Sequence, residues 1–192
     1  MNKENQIRTS LTNFEVREDN GSPTIEGYYV VYNQIYDMGN GLTESIAPGA
    51  CKSSLQNDIR ALVNHDTTLV LGRTTAHTLE LREDEHGLWG KITINPKDSD
   101  AMNLYERVKR GDVNQCSFGF NILSEETDFP SKDEGCHWTI TDVDIHEVSV
   151  CTFPAYEGTN VSARQQDFEE IKKRKAEKWR TDMLTKLKGV QK

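Results

Sequence analysis

No stretch of this sequence approaches the roughly 18 consecutive apolar residues that a membrane-spanning helix needs. The amino-terminal residues MNKENQIRTS also lack the apolar core of a signal peptide. Cysteine is scarce: four occur, at 51, 116, 136 and 151, with no CxxC spacing, which argues against both a disulfide framework and a zinc knuckle. The motifs GxxxxGK[ST], helix-opening GxGxxG, HExxH and GxSxG are missing, which removes the common nucleotide-binding, zincin and α/β-hydrolase signatures. Aromatic residues are not interleaved with basic ones as single-stranded nucleic-acid binders require. At 35% hydrophobic residues the chain is lean for a globular protein, yet too apolar to be wholly disordered. These absences leave a soluble, intracellular protein. Its 192 residues suit one compact domain with an appendage, or two small domains.

The net charge of −8 is unevenly spread. From Gln165 to Lys192 there are nine Lys/Arg against five Asp/Glu, leaving fourteen against twenty-six in residues 1–164. An acidic body therefore carries a basic tail, and the expected division is a domain over 1–164 and a helical tail over 165–192. The tail has no Pro, and Phe168, Ile171, Trp179, Leu184 and Leu187 form only a thin apolar face. A body at −12 repels a phosphate backbone, so nucleic acid is not expected as a partner beyond weak, salt-sensitive contact through the tail.

Short strands dominate the body. Strand-like runs occupy Thr12–Glu18, Ile25–Tyr32, Asp58–Asn64, Leu69–Leu71, Thr78–Arg82, Leu88–Asn95, Gln115–Leu123 and His137–Thr152. Asn20-Gly-Ser-Pro23 and Asp84–Gly87 read as turns, Asn33–Glu44 as a loop, Pro48–Leu55 as a short helical segment, and the acidic, Pro-containing stretch before His137 as a second loop. Ser99–Arg110 is a helix, with Ser99 as N-cap, Ala101, Leu104, Tyr105 and Val108 on one face, and Gly111 as terminator. Strands at about ten-residue spacing with one or two helices predict a mainly antiparallel barrel or sandwich.

Three positions stand out chemically. In Gln115-Cys-Ser-Phe-Gly-Phe120, strand alternation puts Cys116, Phe118 and Phe120 on one face and Ser117 beside Gly119 on the other. Ser117 is then either a surface serine or a hydroxyl with room for a substrate, whereas Cys116 is inert core. A serine nucleophile needs a base and a group that orients it. Among five histidines, His65 terminates the apolar run Ala61-Leu62-Val63, a position where a scaffold can deliver a side chain to a cleft. His77, His86 and His137 sit at turns or strand starts, and His146, next to Glu147, should face away from it. Glu147 is in phase with Val143 and Ile145, but Val148 and Val150 then reverse the apolar phase. That reversal reads either as a β-bulge re-aiming a side chain or as a strand buried on both faces.

Seven segments occur in order: Gly27-Tyr-Tyr-Val-Val-Tyr-Asn33, Glu44-Ser-Ile-Ala-Pro-Gly-Ala50, Leu62-Val-Asn-His-Asp66, Leu71-Gly-Arg-Thr74, Arg110-Gly-Asp-Val113, Cys116-Ser-Phe-Gly-Phe120 and Glu147-Val-Ser-Val-Cys-Thr-Phe-Pro-Ala-Tyr156. Together they resemble the prohead (capsid maturation) protease family of tailed bacteriophages, the HK97-like group, over roughly Thr12 to Arg164. The resemblance implies a mainly β fold with surrounding helices, a herpesvirus-assemblin-like antiparallel β-barrel, and serine endopeptidase activity. It carries the catalytic His onto His65, the nucleophile onto Ser117 and the third member onto Glu147; Arg73, with nearby backbone N–H groups, is the candidate oxyanion donor. It implies no metal or organic cofactor and no membrane. The expected substrates are a scaffold protein or the scaffolding segment of the major capsid protein, and the enzyme itself, inside the assembling prohead in the host cytoplasm. Homo-oligomerisation is left open. The competing reading is a catalytically silent capsid-assembly or scaffold-binding module of the same fold.

Overall fold

The structure, a computed structural model, describes residues 5–11, 14–19, 21–129, 135–153 and 158–189. Five strands come first: β1 (Gln6–Leu11), β2 (Glu15–Asp19), β3 (Ser22–Val31), β4 (Tyr36–Asp37) and β5 (Leu42–Ile46). A 3₁₀ turn at Lys52–Gln56 precedes β6 (Arg60–Val63) and β7 (Asp66–Arg73). Then follow β8 (Leu79–Glu83), β9 (Gly87–Thr93), helix α1 (Ser99–Arg110), β10 (Gln115–Asp128), β11 (Cys136–Cys151) and helix α2 (Gly158–Gly189). The chain divides into two compact units, Lys3–Tyr156 and a second made chiefly of Glu157–Lys192.

Local chemistry explains most of these elements. Helix α1 is capped by Asp98, not by the expected Ser99: its Oδ1 accepts from the N–H groups of Asp100 (3.0 Å) and Ala101 (3.2 Å). Gly111 closes the helix at φ 89°, and Ala101, Leu104, Tyr105 and Val108 form its buried face. Two elements overlap the expected loop Asn33–Glu44: β4 lies within it, and β5 starts in it at Leu42 and runs to Ile46. Both long final strands also extend further than expected, β10 to Asp128 and β11 from Cys136; residues 130–134 of the acidic loop lie outside the described residues, as do Thr12, Asn13, Asn20 and the Pro154-Ala-Tyr156 end of the last motif.

A mixed sheet runs β1-β10-β11-β5-β4, with β6 also paired to β11 and β7 to β6; a second, antiparallel sheet runs β2-β3-β9-β8. The expected mainly β architecture with mostly antiparallel pairing is present, but the expected barrel is not found. The protein is mainly β with two α-helices, β11 pairs in parallel with both β5 and β6, and no closed barrel forms among the described residues. Turn-limited spacing dictates antiparallel pairing only between strands joined by a tight turn. Because β5 and β6 reach β11 from far away in sequence, that constraint does not apply to them.

Strand β11 organises the larger sheet. Its first five residues, Cys136–Ile140, pair with β5 and its last part, Glu147–Val150, with β6, both parallel. The 3₁₀ turn serves the stretch between. Ser54 Oγ donates to Val143 O (2.7 Å) and accepts from Ile145 N (2.9 Å), while Val143 N donates to Ala50 O (3.1 Å). Buried Ser54 thereby pairs backbone groups that no strand reaches.

An ion pair is also buried in this sheet. Arg8 of β1 meets Glu44 of β5 in a bidentate contact, Nε to Oε1 at 2.5 Å and Nη2 to Oε2 at 3.0 Å, with only 5% and 2% of the side chains exposed. Arg8 also donates to Ile7 O (2.9 Å), and its guanidinium lies 5.7 Å from the centre of the Phe120 ring. Removing one member strands the other charge in the interior. Arg8→Met is expected to lower unfolding free energy by about 3–5 kcal/mol in urea titrations, and Arg8→Met combined with Glu44→Leu to restore most of it. A loss under about 1 kcal/mol in the single variant would contradict this account of the pair.

Candidate active site

His65 occupies the tip of the β6–β7 hairpin. Val63 pairs with Asp66, so Asn64 and His65 are the two central residues of the turn, at φ 50° and 62°. Left-handed conformation at both positions is what a two-residue hairpin of type I′ requires; asparagine adopts it readily, histidine less so. The turn is stitched to β11: Asn64 N donates to Val150 O (3.1 Å), Thr152 N to Asn64 Oδ1 (2.9 Å) and His65 N to Ser149 Oγ (3.2 Å).

Glu147 meets this hairpin from β11. Between the pairs Gly119↔Glu147 and Phe120↔Ile145 the β10–β11 register shifts, leaving His146 as the extra residue of a bulge. Before the bulge Val143 and Ile145 face the core; after it Val148 and Val150 do. Glu147, Ser149 and Cys151 are thereby turned to the opposite face. Both features raised by the apolar pattern are present, since Val148, Ser149, Val150 and Cys151 are all buried as well. Glu147 Oε1 lies 2.5 Å from His65 Nδ1, and its Oε2 accepts from Ser149 Oγ at 2.7 Å. With Nδ1–H donated to a carboxylate, His65 Nε2 is left as the acceptor.

The bulge also overturns the expectation for His146. A Cβ built on Gly119 would lie 2.5 Å from Glu147 Oε1 and 2.8 Å from His146 Nε2, so both side chains approach the same point above the glycine. Adjacent residues of a regular strand could not do this. His146 and Ser149 were both missed as site residues. The i, i+2 spacing of Glu147 and Ser149 was the available signal for the second.

Ser117 faces away from the Cys116–Phe118–Phe120 stripe, as alternation predicts, but it is neither a surface residue nor open to a substrate. It is 0% exposed, and its hydroxyl donates to Arg8 O at 2.8 Å. The reason is the sheet order, because β10 lies inside the sheet between β1 and β11, with Thr9 and Ser149 directly opposite Ser117. Ser117 therefore stands two residues along β10 from the Gly119↔Glu147 pair. The structure joins His65 to Glu147 directly and leaves Ser117 bonded to Arg8.

Arg73 pairs with Arg60, which in turn pairs with Glu147, so Arg73 lies two strands from the carboxylate. Its guanidinium is held by Asp58, Nε to Oδ1 at 2.7 Å and Nη2 to Oδ2 at 2.5 Å, and this contact holds the Asp58 carboxyl well below the usual range. The other histidines are accounted for elsewhere. His137 lies between the hydroxyls of Thr43 (2.8 Å) and Ser45 (2.9 Å), His86 stacks edge-on against Tyr28, and His77 ends a 3₁₀ turn. Cys116 is buried, with Sγ 3.2 Å from Tyr28 O. Cys151 Sγ lies 3.9 Å from His65 Nε2, and burial, with the Glu147 charge adding to it, pushes its thiol up to about 12. Among the described residues no cluster of three or more His, Cys, Asp or Glu is arranged to hold a metal ion, and no helix is long and apolar enough to cross a membrane.

Comparisons with known proteins agree in direction. Residues 11–174 match a family model described as caudovirus prohead serine protease. A protein named prohead protease, from Enterobacteria phage HK97, is 31% identical over 187 residues, spanning 93% of this chain and 77% of that protein. Among solved structures, the bacteriophage T4 capsid assembly protease matches with a TM-score of 0.51 at 10% identity, over 77% of this chain and 97% of that one, a likeness of fold.

Two outcomes follow from the geometry. Gly119→Ala forces the ends of flexible side chains, not backbone, to move, and so is expected to leave the Tm within a few degrees of the parent while breaking the His65–Glu147 contact. Proteolytic turnover should fall at least roughly 100-fold, as a displacement of about 1 Å can produce; wild-type turnover would contradict the cradle role of Gly119. All four thiols are buried, so the native protein at pH 7.5 should react with none of them on mixing with Ellman's reagent, and with all four in urea. Burial and the nearby Glu147 charge also push the Cys151 thiol well above its usual range, so rapid native labelling of Cys151 would contradict the burial.

Proposed function

The chain belongs to the caudovirus prohead serine proteases and is a serine endopeptidase, and from that premise we propose that Ser117 is its nucleophile, His65 the general base and Glu147 the residue that orients His65. One observation carries the assignment: Glu147 fixes Nδ1 of a histidine at a hairpin tip, and the serine of the SFGF motif lies two residues along β10 from the glycine paired with Glu147. A nucleophilic serine requires that chain of base and orienting group.

In the proposed cycle Ser117 Oγ leaves Arg8 O and turns to His65 Nε2. It attacks the scissile carbonyl carbon as Nε2 takes its proton, and the carbonyl oxygen becomes the oxyanion. The imidazolium, stabilised by Glu147, then protonates the leaving amine as the C–N bond breaks, giving the acyl-enzyme. A water molecule, deprotonated by Nε2, attacks the ester in turn, and the proton returns to Ser117 Oγ as the acid is released. Backbone N–H groups and Arg73 are the proposed oxyanion donors, Arg73 once it releases Asp58. The cycle calls on no metal or organic cofactor.

The proposed substrates are a scaffold protein or the scaffolding segment of the major capsid protein, and the enzyme itself, met inside the assembling prohead. Residues 1–164 carry the chemistry, and residues 165–192 form the basic tail. Co-expression with the cognate major capsid protein tests the reading by gel. Ser117→Ala and His65→Ala should abolish processing, and Glu147→Gln should slow it roughly 10²–10⁴-fold, because a neutral amide cannot hold the tautomer and stabilise the cation. Undiminished processing by Ser117→Ala overturns the assignment.

A further inference from the structure

We propose that Ser149 is a positioning residue for the His65–Glu147 pair, an inference that rests on His65 being the base. Its hydroxyl accepts the backbone N–H of His65 at 3.2 Å and donates its single proton to Glu147 Oε2 at 2.7 Å. It therefore grips both members of the pair at once, and it does so from a fully buried site, at 0% exposure. Buried hydroxyls of this kind hold their partners in a single arrangement, because water cannot replace either bond.

Each contact fixes something the chemistry needs. His65 is held at φ 62°, a conformation unfavourable for a residue with a side chain, and its N–H bond to Ser149 comes from outside the hairpin. Glu147 divides its two oxygens, Oε1 to the imidazole and Oε2 to Ser149. A carboxylate anchored at one oxygen cannot rotate the other away from Nδ1. Register supplies the rest: Ser149 lies two residues from Glu147 on β11, opposite Leu62 of β6 and Ser117 of β10. In this arrangement the Ser149 proton is directed at Glu147 and not at a ring nitrogen of His65, which suits a positioning role.

Ser54 provides the internal control. It too is a buried serine serving β11 through two hydrogen bonds, but both go to backbone groups, at Val143 and Ile145. Purified full-length Ser149→Ala and Ser54→Ala are compared by urea unfolding, by kcat and KM on a peptide spanning a capsid-protein processing junction, and by ¹H NMR of the ¹⁵N-histidine-labelled protein. Both variants should lose stability. Only Ser149→Ala should lose kcat, roughly 10–100-fold with KM nearly unchanged, and only there should the low-field His65 Nδ1–H resonance shift or broaden. Ser149→Cys, close in volume but a weak hydrogen-bond partner, is expected to show the same kcat loss and serves if the alanine variant does not fold.

Parent-like kcat together with an unmoved resonance would overturn the proposal. Complete loss of turnover, matching Ser117→Ala, would overturn it as well, because Ser149 would then be doing the covalent chemistry. Activity surviving in Ser117→Ala marks failure of the underlying triad assignment, which no Ser149 variant can mimic.

Discussion

The hydrogen bond from His65 Nδ1 to Glu147 Oε1 joins two parts of the chain that are 82 residues apart, and the geometry around it is arranged to let it form. The hairpin must turn within two residues, which puts His65 in a left-handed conformation. Strand β11 must slip its phase at His146, or Glu147 would point into the core with Val143 and Ile145. Gly119 must lack a side chain, because the space above it is where Glu147 and His146 converge. Each requirement runs against a local preference, a conflict typical of functional sites.

Around this point the larger sheet is buried on both faces, which accounts for the polar pairings inside it. Ser117, Ser149 and Ser54 each hold defined partners with no exposed surface or almost none, and Arg8 and Glu44 satisfy each other in place of water. Buried polar groups are tolerated only on those terms. The same burial bears on mechanism. A nucleophile whose hydroxyl rests on Arg8 O has to be released before it can act, so in the proposed cycle access to Ser117 and activation of Ser117 are one event.

How much of this was legible in the sequence depended on the range of the interactions. Helix α1 could be read to the residue at both ends, because its apolar spacing and Gly111 are local; only its cap moved, from Ser99 to Asp98, where a carboxylate reaches two N–H groups. The phase reversal after Ile145 announced the bulge, since alternation is also local. The two parallel pairings were not legible: that β5 and β6 lie parallel to β11 is decided by pairing across many residues, and turn spacing carries no information about it. β4 and β5 were hidden by a glycine-rich stretch that looks like loop, Gly39-Asn-Gly41. At the site, residue type and strand phase singled out His65, Ser117 and Glu147. The depth of Ser117, the commitment of Arg73 to Asp58 and the bridging hydroxyl of Ser149 all depend on which strand lies beside which, and no single segment encodes that.

The central claim concerns one oxygen atom, and covalent labelling addresses it directly. Diisopropyl fluorophosphate phosphorylates an activated serine oxygen with loss of fluoride, and peptide mass spectrometry locates the adduct. The account predicts one phosphoryl adduct on Ser117, absent in the His65→Ala protein because the base is gone. An adduct on Ser149 or any other residue instead, or labelling of Ser117 that persists without His65, would contradict it.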